Sequence, residues 1–142
     1  MRPFSNWLNE ASPDDVEIPN RDKAARMMRA DMPKLSDLAV FVSDLAKNGI
    51  GTDVRMIDPK SLKPGQQDFN MDKVREFQKT TNPTLDLPIV ISRDDYVVDG
   101  HHRWIAAVQN NVPILAHNVD MDFYDIIKFL NELQYPTNQS VG

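Results

Sequence analysis

The run Val97-Val98-Asp99-Gly100-His101-His102-Arg103-Trp104 constrains this chain more than any other stretch. An apolar strand ends at Asp99, a glycine turns the backbone, and a helix over 102–110 follows with no room for a loop between them. The chain is thereby committed to a strand–turn–helix corner. Two imidazoles and a guanidinium sit where the helix begins. A helix N-terminus has unpaired N–H groups and a partial positive charge, so it attracts anions. Histidine, histidine and arginine added there suit phosphate, and a phosphorylated ligand such as a nucleotide is expected.

The flanking pattern sets this corner in a larger frame. Residues 34–48 carry Leu35, Leu38, Ala39, Val42, Leu45 and Ala46 at helical spacing, with Gly49 where a C-cap belongs. Val54–Ile57 reads as a short strand, and 58–65, with two prolines, as a turn-rich connection. Met71–Lys79 reads as a helix capped by Asn70, with Val74 and Phe77 inward and Asn82-Pro83 closing it. Leu87–Ser92 and Tyr96–Val98 read as the strands of a hairpin around Arg93-Asp94-Asp95. Ile114–Val119 is a further strand. Asp122–Leu133 is a last helix, with Phe123, Ile126, Ile127 and Leu130 on one face. The order, helices and then β-α-β-β-α-β-α, predicts an α/β (α+β) fold: a small mixed sheet flanked by helices.

The division expected is an N-terminal helical extension over 1–50, a main domain over 51–135 and a flexible tail over 136–142. Within the extension, Phe4, Trp7 and Leu8 suit a short amphipathic helix. Arg21, Lys23, Arg26 and Arg29, interleaved with Ala24, Ala25, Met27 and Met28, suit a second short helix ending before Pro33. The extension would either pack in a structural role or be mobile and dock on a protein partner.

Composition excludes several function classes. The 142 residues suffice for one domain with a core. No apolar run approaches the roughly 18–20 residues needed to cross a bilayer, and the first residues lack a secretory apolar stretch. A cytoplasmic protein with no membrane contact is expected. The absence of cysteine removes disulfides, thiolate chemistry and cysteine-bound zinc. A net charge of -5 does not suit broad electrostatic capture of nucleic acid, though it is compatible with a local basic patch.

At the corner each residue type has a chemical reason. Gly100 permits the turn and a close ligand approach. Arg103 offers a planar, permanently charged fork matched to phosphate oxygens. His101 and His102 can donate to phosphate or exchange a proton near neutral pH. Asp99 has several roles open: helix N-cap, ligand of a divalent cation such as Mg²⁺, orienting partner of a histidine, or general base. Lys60 and Lys63 could complete the anion site from the preceding loop, or simply be solvated. Trp104 reads as a core residue beneath the motif. His101, His102 and His117 could in principle bind zinc, but adjacent helical side chains diverge by about 100°.

The string Val97 to Ala107 resembles the signature of the ParB/sulfiredoxin superfamily, and Val54 to Gln66 with the helix holding Asp72, Lys73 and Val74 is similar to the strand–loop–helix that opens those domains. The likeness spans about 53–121, which makes 51–135 a ParB/sulfiredoxin-like domain. Sulfiredoxins carry a cysteine where this chain has His101, so sulfinic acid reduction is excluded. Partitioning ParB proteins, which bind CTP, carry a Gly-Glu-Arg-Arg type motif that is absent here. The Asp-Gly-His-His-Arg form is most similar to the free serine kinases of the superfamily. That resemblance implies phosphate ligation by His101, His102 and Arg103, a catalytic or metal-positioning Asp99, and Mg²⁺ with ATP, ADP or CTP. The kinases' separate glutamate base has no counterpart; Gln66, Gln67 and Asp68 lie nearest. Gln66 resembles a recurrent glutamine of phage members and would contact a base or ribose. The beginning Phe4 to Glu10 resembles the starts of tailed-phage proteins, which would put the chain in a host cytoplasm.

The expected site is therefore Asp99, His101 and His102 as catalytic residues, with Gly100, His101, His102, Arg103, Lys63 and Gln66 around the phosphates and Mg²⁺ on Asp99. Three functions stay open. One is a nucleotide-dependent phosphotransferase or phosphate-ester hydrolase. Another is a ParB-like nuclease acting on DNA or RNA. The third is a non-catalytic module that binds a nucleotide or a protein partner.

Overall fold

A computed structural model describes residues 18–35, 37–79 and 88–133, with side chains given outside 77–79. The expectations for Phe4, Trp7, Leu8, Phe77, Asn82-Pro83 and the tail lie outside the described residues.

Strand chemistry sets the sheet. β1 (Thr52–Ile57), β2 (Ile89–Ser92), β3 (Val97–Asp99) and β4 (Ile114–Val119) pair in the order β1-β4-β2-β3. β4 runs antiparallel to β1 and parallel to β2, while β2 and β3 form an antiparallel hairpin. All of β2 is buried, as a strand paired in parallel and covered on both faces must be. The hairpin turn closes through Asp95, at φ 69, a conformation aspartate tolerates better than most residues.

Four α-helices among the described residues cover the two faces: α1 (Leu38–Lys47), α2 (Met71–Lys79), α3 (His101–Asn110) and α4 (Phe123–Leu133). Alternation along the strands divides the core. Ile89, Ile91, Val97, Ile114 and Ala116 meet Val74, Trp104, Ile105 and Val108 of α2 and α3. Val90, Val98 and Val119 meet Phe41, Leu45, Phe123, Ile126, Ile127 and Leu130 of α1 and α4. The architecture is a mixed α/β layer structure, as the element order predicts. No helix among the described residues is long and apolar enough to cross a membrane.

Several boundaries differ from the sequence reading, each for a local reason. The helix expected over 34–48 starts at Leu38, because Asp37 is its N-cap and its side chain accepts from Val40 N–H. At its other end Gly49 N–H bonds Ala46 O and Ile50 N–H bonds Leu45 O, the expected C-terminal closure. Asn70 caps α2 through Oδ1, which accepts from Asp72 and Lys73 N–H. α3 begins one residue earlier than expected, at His101, with Gly100 as its N-cap; Asp99 belongs to β3 and caps nothing. The basic segment 21–29 is not a helix. It forms separate 3-10 turns at Arg21–Lys23 and Arg29–Asp31, because its backbone bonds outward: Ala25 N–H to Pro64 O, and Met27 O from Gln67 N–H.

The two edges of the sheet are treated differently. The β3 edge is covered: Lys63 bridges Tyr96, with Lys63 N–H on Asp95 O and Val97 N–H on Lys63 O. β1 has no strand on its outer side among the described residues, and its four central residues are exposed.

Candidate functional site

The corner is built by two glycines. Gly100 stands at φ 92, and a Cβ there would lie 2.6 Å from Ile89 Cγ2 and 2.8 Å from Arg103 Nη2. Only glycine lets β3 turn into α3 this closely. Gly65, in the loop opposite, would drive a Cβ to within 2.0 Å of Val97 O. That loop therefore runs tight against β3.

The two histidines fasten this loop to the helix. His101 Nε2 accepts from Gly65 N–H at 2.9 Å, and His102 Nε2 accepts from Asn70 N–H at 2.9 Å. Phe69 lies between these anchors, with ring centroids 6.0 Å from His101 and 6.5 Å from His102. An imidazole accepting at Nε2 is neutral and carries its proton on Nδ1. Its environment enforces that state. Burial pushes His101 down to about 3, helped by His102. Burial, with the nearby charges of Arg29 and Lys73, pushes His102 down to about 4, against an opposing pull from Asp68.

Beside the histidines opens a cleft of about 580 Å³, within the ordinary range of small-ligand sites. Val98, Asp99, Gly100, His101, His102 and Arg103 form one wall, with Gln66, Lys73 and Glu76 alongside. Residues of the segment 29–35, including Arg29, Pro33 and Lys34, form the other. Arg29 N–H donates to Asp68 Oδ1 and Gln66 Nε2 to Asp68 O, so the same loop holds that segment. Four cationic side chains and two carboxylates line the space, so it is locally basic in an acidic chain.

Within it, Trp104 N–H makes the first helical bond, to Gly100 O, and no side chain caps α3. The amides of the preceding residues therefore have no intrahelical acceptor. Arg103 Nη2 lies 3.6 Å from Asp99 Oδ2, and the arginine side chain is only 13% exposed. Burial raises the Asp99 carboxyl above the usual carboxylate value, while Arg103 partly opposes the shift. Asp99 is thus the ionisable group of the motif moved toward the range where a carboxyl exchanges protons near neutrality.

The structure brings Asp99, Gly100, His101, His102, Arg103 and Gln66 to one cleft. It leaves Lys63 and Lys60 elsewhere. Lys63 Nζ stacks 4.3 Å over the Tyr96 ring, on the covered edge. Lys60 lines a separate groove with Met56 and Val108. His117, on β4, bonds Thr52 Oγ1 and takes no part in the cleft. Trp104 is fully buried, its Nε1–H on Pro59 O at 2.6 Å. Among the described residues, no three His, Asp or Glu side chains gather as a metal site. Asp99 could hold Mg²⁺ only with phosphate oxygens and water as the other ligands, an arrangement usual for that ion.

The motif does not point to Arg29, Lys34, Lys73 or Asn70. The basic character of 21–29 is visible in the sequence, but nothing local says that Arg29 faces the corner. Comparison of the chain with protein-family models, with curated proteins and with solved structures finds no match.

Proposed function

We propose that the chain binds a nucleotide through its phosphates in the cleft at the start of α3 and transfers or hydrolyses a phosphoryl group there. One observation carries this reading. The uncapped amides of α3, the side chains of Arg29, Lys34, Lys73 and Arg103, and a half-buried carboxyl at Asp99 all meet in a single cleft. Helix amides and guanidinium groups are complementary to phosphate oxygens, and fixed cations stabilise the charge that develops in transfer. The likeness of Asp99 to Arg103 to the free serine kinases of the ParB/sulfiredoxin superfamily supports the same substrate class.

In this reading the roles differ from those the motif alone implies. Arg103 and the α3 amides hold phosphate oxygens. Asp99 accepts the proton of the attacking hydroxyl or water, or carries Mg²⁺ brought in by the nucleotide. His101 and His102 are positioning residues, since the lone pair of each Nε2 is already engaged by a backbone N–H.

Phosphorus NMR with Mg²⁺ and a panel of ATP, ADP, CTP and GTP, with and without serine, tests it. Wild type should bind and turn over one of them. Arg103→Ala should weaken binding by about 10–100-fold, the value of a charge-assisted contact. Lys60→Ala, outside the cleft, should leave it unchanged. Equal affinities in wild type and Arg103→Ala would refute the site.

Binding without turnover is the second reading, and one observation favours it: neither imidazole has a free lone pair at Nε2 to act as base. It predicts line broadening by nucleotide, no product, and full binding by Asp99→Asn.

A further inference from the structure

Among the described residues nothing pairs with the outer edge of β1, and that edge carries its own pairing code. In an antiparallel ladder, residues alternate between those whose N–H and C=O face the neighbour and those whose groups face away. Asp120 N–H donates to Gly51 O, in register with the β1–β4 pairs. Gly51, Asp53, Arg55 and Ile57 therefore turn their backbone groups toward β4, and Thr52, Val54 and Met56 turn theirs outward. On the same strand Val54 and Met56 are 49% and 51% exposed. A bare edge strand is a template for another strand, and chains usually protect such edges with proline, lysine or a bulge. β1 has none of the three, and the two charges it does carry, Asp53 and Arg55, are of opposite sign and so do not repel a partner strand that sets one against the other. The contrast lies within the molecule, since the β3 edge is closed by Lys63.

We propose that two copies of this chain associate about a two-fold axis by antiparallel β1–β1 pairing centred on Val54. Outward-facing residues must pair with outward-facing residues, so the axis passes beside a residue and not between two. Centring on Asp53 sets Asp53 against its own counterpart, and centring on Arg55 does the same with arginine. Like charges directly opposite destabilise a pair of strands. Centring on Val54 reverses this. Asp53 then faces Arg55 of the second copy, and symmetry repeats the pair. Val54 faces Val54, and Thr52 faces Met56, so every outward N–H and C=O of the strand is used. The Asp–Arg pairs occupy non-hydrogen-bonded positions, where opposed side chains come closest. Asp53 and Arg55 already share a face and are bonded at 2.9 Å and 3.1 Å within one chain, so each is held ready to be shared across the axis. A groove lined by Met56, Ile57, Pro59, Val108 and Val112 opens beside the same edge and extends the contact surface. The surface is self-complementary, as a two-fold interface requires. β1 and β3 are opposite edges, so pairing leaves the cleft beside β3 open in both copies.

Sedimentation equilibrium of the full chain, from micromolar to hundreds of micromolar, tests the proposal. Wild type should reach twice the chain mass. Asp53→Arg and Arg55→Asp each set like charges across the axis, and each should raise the dimer dissociation constant by about ten-fold or more. The double variant with both exchanges sets opposite charges across it again and should restore the dimer. All these side chains are exposed, so circular dichroism should match wild type throughout. Because the chain has no cysteine, Val54→Cys should oxidise to one covalent dimer. A monomer at all concentrations, a dimer indifferent to the single exchanges, or a double variant that does not recover would each overturn it. A monomer whose β1 amides resist hydrogen exchange would also overturn it, by showing that another part of the chain covers the edge.

Discussion

At the scale of single residues, the corner depends on the absence of two side chains and the neutrality of two others. Gly100→Ala forces a Cβ into a left-handed backbone and against Ile89. The expected loss is about 2–5 kcal/mol, the sum of the backbone strain and overpacking, read from urea unfolding midpoints. The histidines predict a pH dependence. Unfolded, both take up protons below about 6.5; folded, His101 refuses its proton down to about 3 and His102 down to about 4. Their contribution is fully present above 6.5 and is lost as the pH falls through that window. The slope for His101 approaches about 1.4 kcal/mol per pH unit. Asp99 acts in the opposite sense, because burial raises its carboxyl and the folded state gains stability as that group protonates. Stability measured from neutral pH downward should therefore fall well before ordinary carboxylates titrate. A flat profile down to pH 4 would contradict the two buried acceptors.

At the scale of elements, Trp104 joins α3 to the loop before it. Trp104→Phe keeps most of the apolar volume but strands Pro59 O, and should cost about 1–3 kcal/mol in thermal or chemical unfolding. Elements of this kind were legible in the sequence to different degrees. The sequence pattern places α4 to within a residue, because Phe123, Ile126, Ile127 and Leu130 follow the helical period and all reach the core. α2 and its Asn70 cap were equally plain, since a cap acts over three residues. The segment 21–29 has a helical composition but does not form the expected helix, because its hydrogen bonds go to residues 64 and 67. Local propensity carries no record of such distant partners. The same reason divides the site: Asp99 to Arg103 stand together in sequence, whereas Arg29, Lys34 and Lys73 reach the cleft only through the fold.

At the scale of the molecule, the segment before α1 is a wall of the cleft as well as part of the core, through Ala25. Replacing Arg29 and Lys34 together by alanine should weaken nucleotide binding by on the order of ten-fold, more at low salt than at high, in a titration by calorimetry. Unchanged affinity would remove that segment from the site. The loop over 59–70 also has a temporal consequence. Its anchors to α3 join residues 36, 32 and 45 positions apart. Contacts of such separation require chain closure before they return any stabilisation. The candidate cleft therefore takes shape only after these closures, though before or with the longer-range β1–β4 pairing, which joins Thr52 to Val119. A ligand that stabilises it would act mainly on how slowly it reopens.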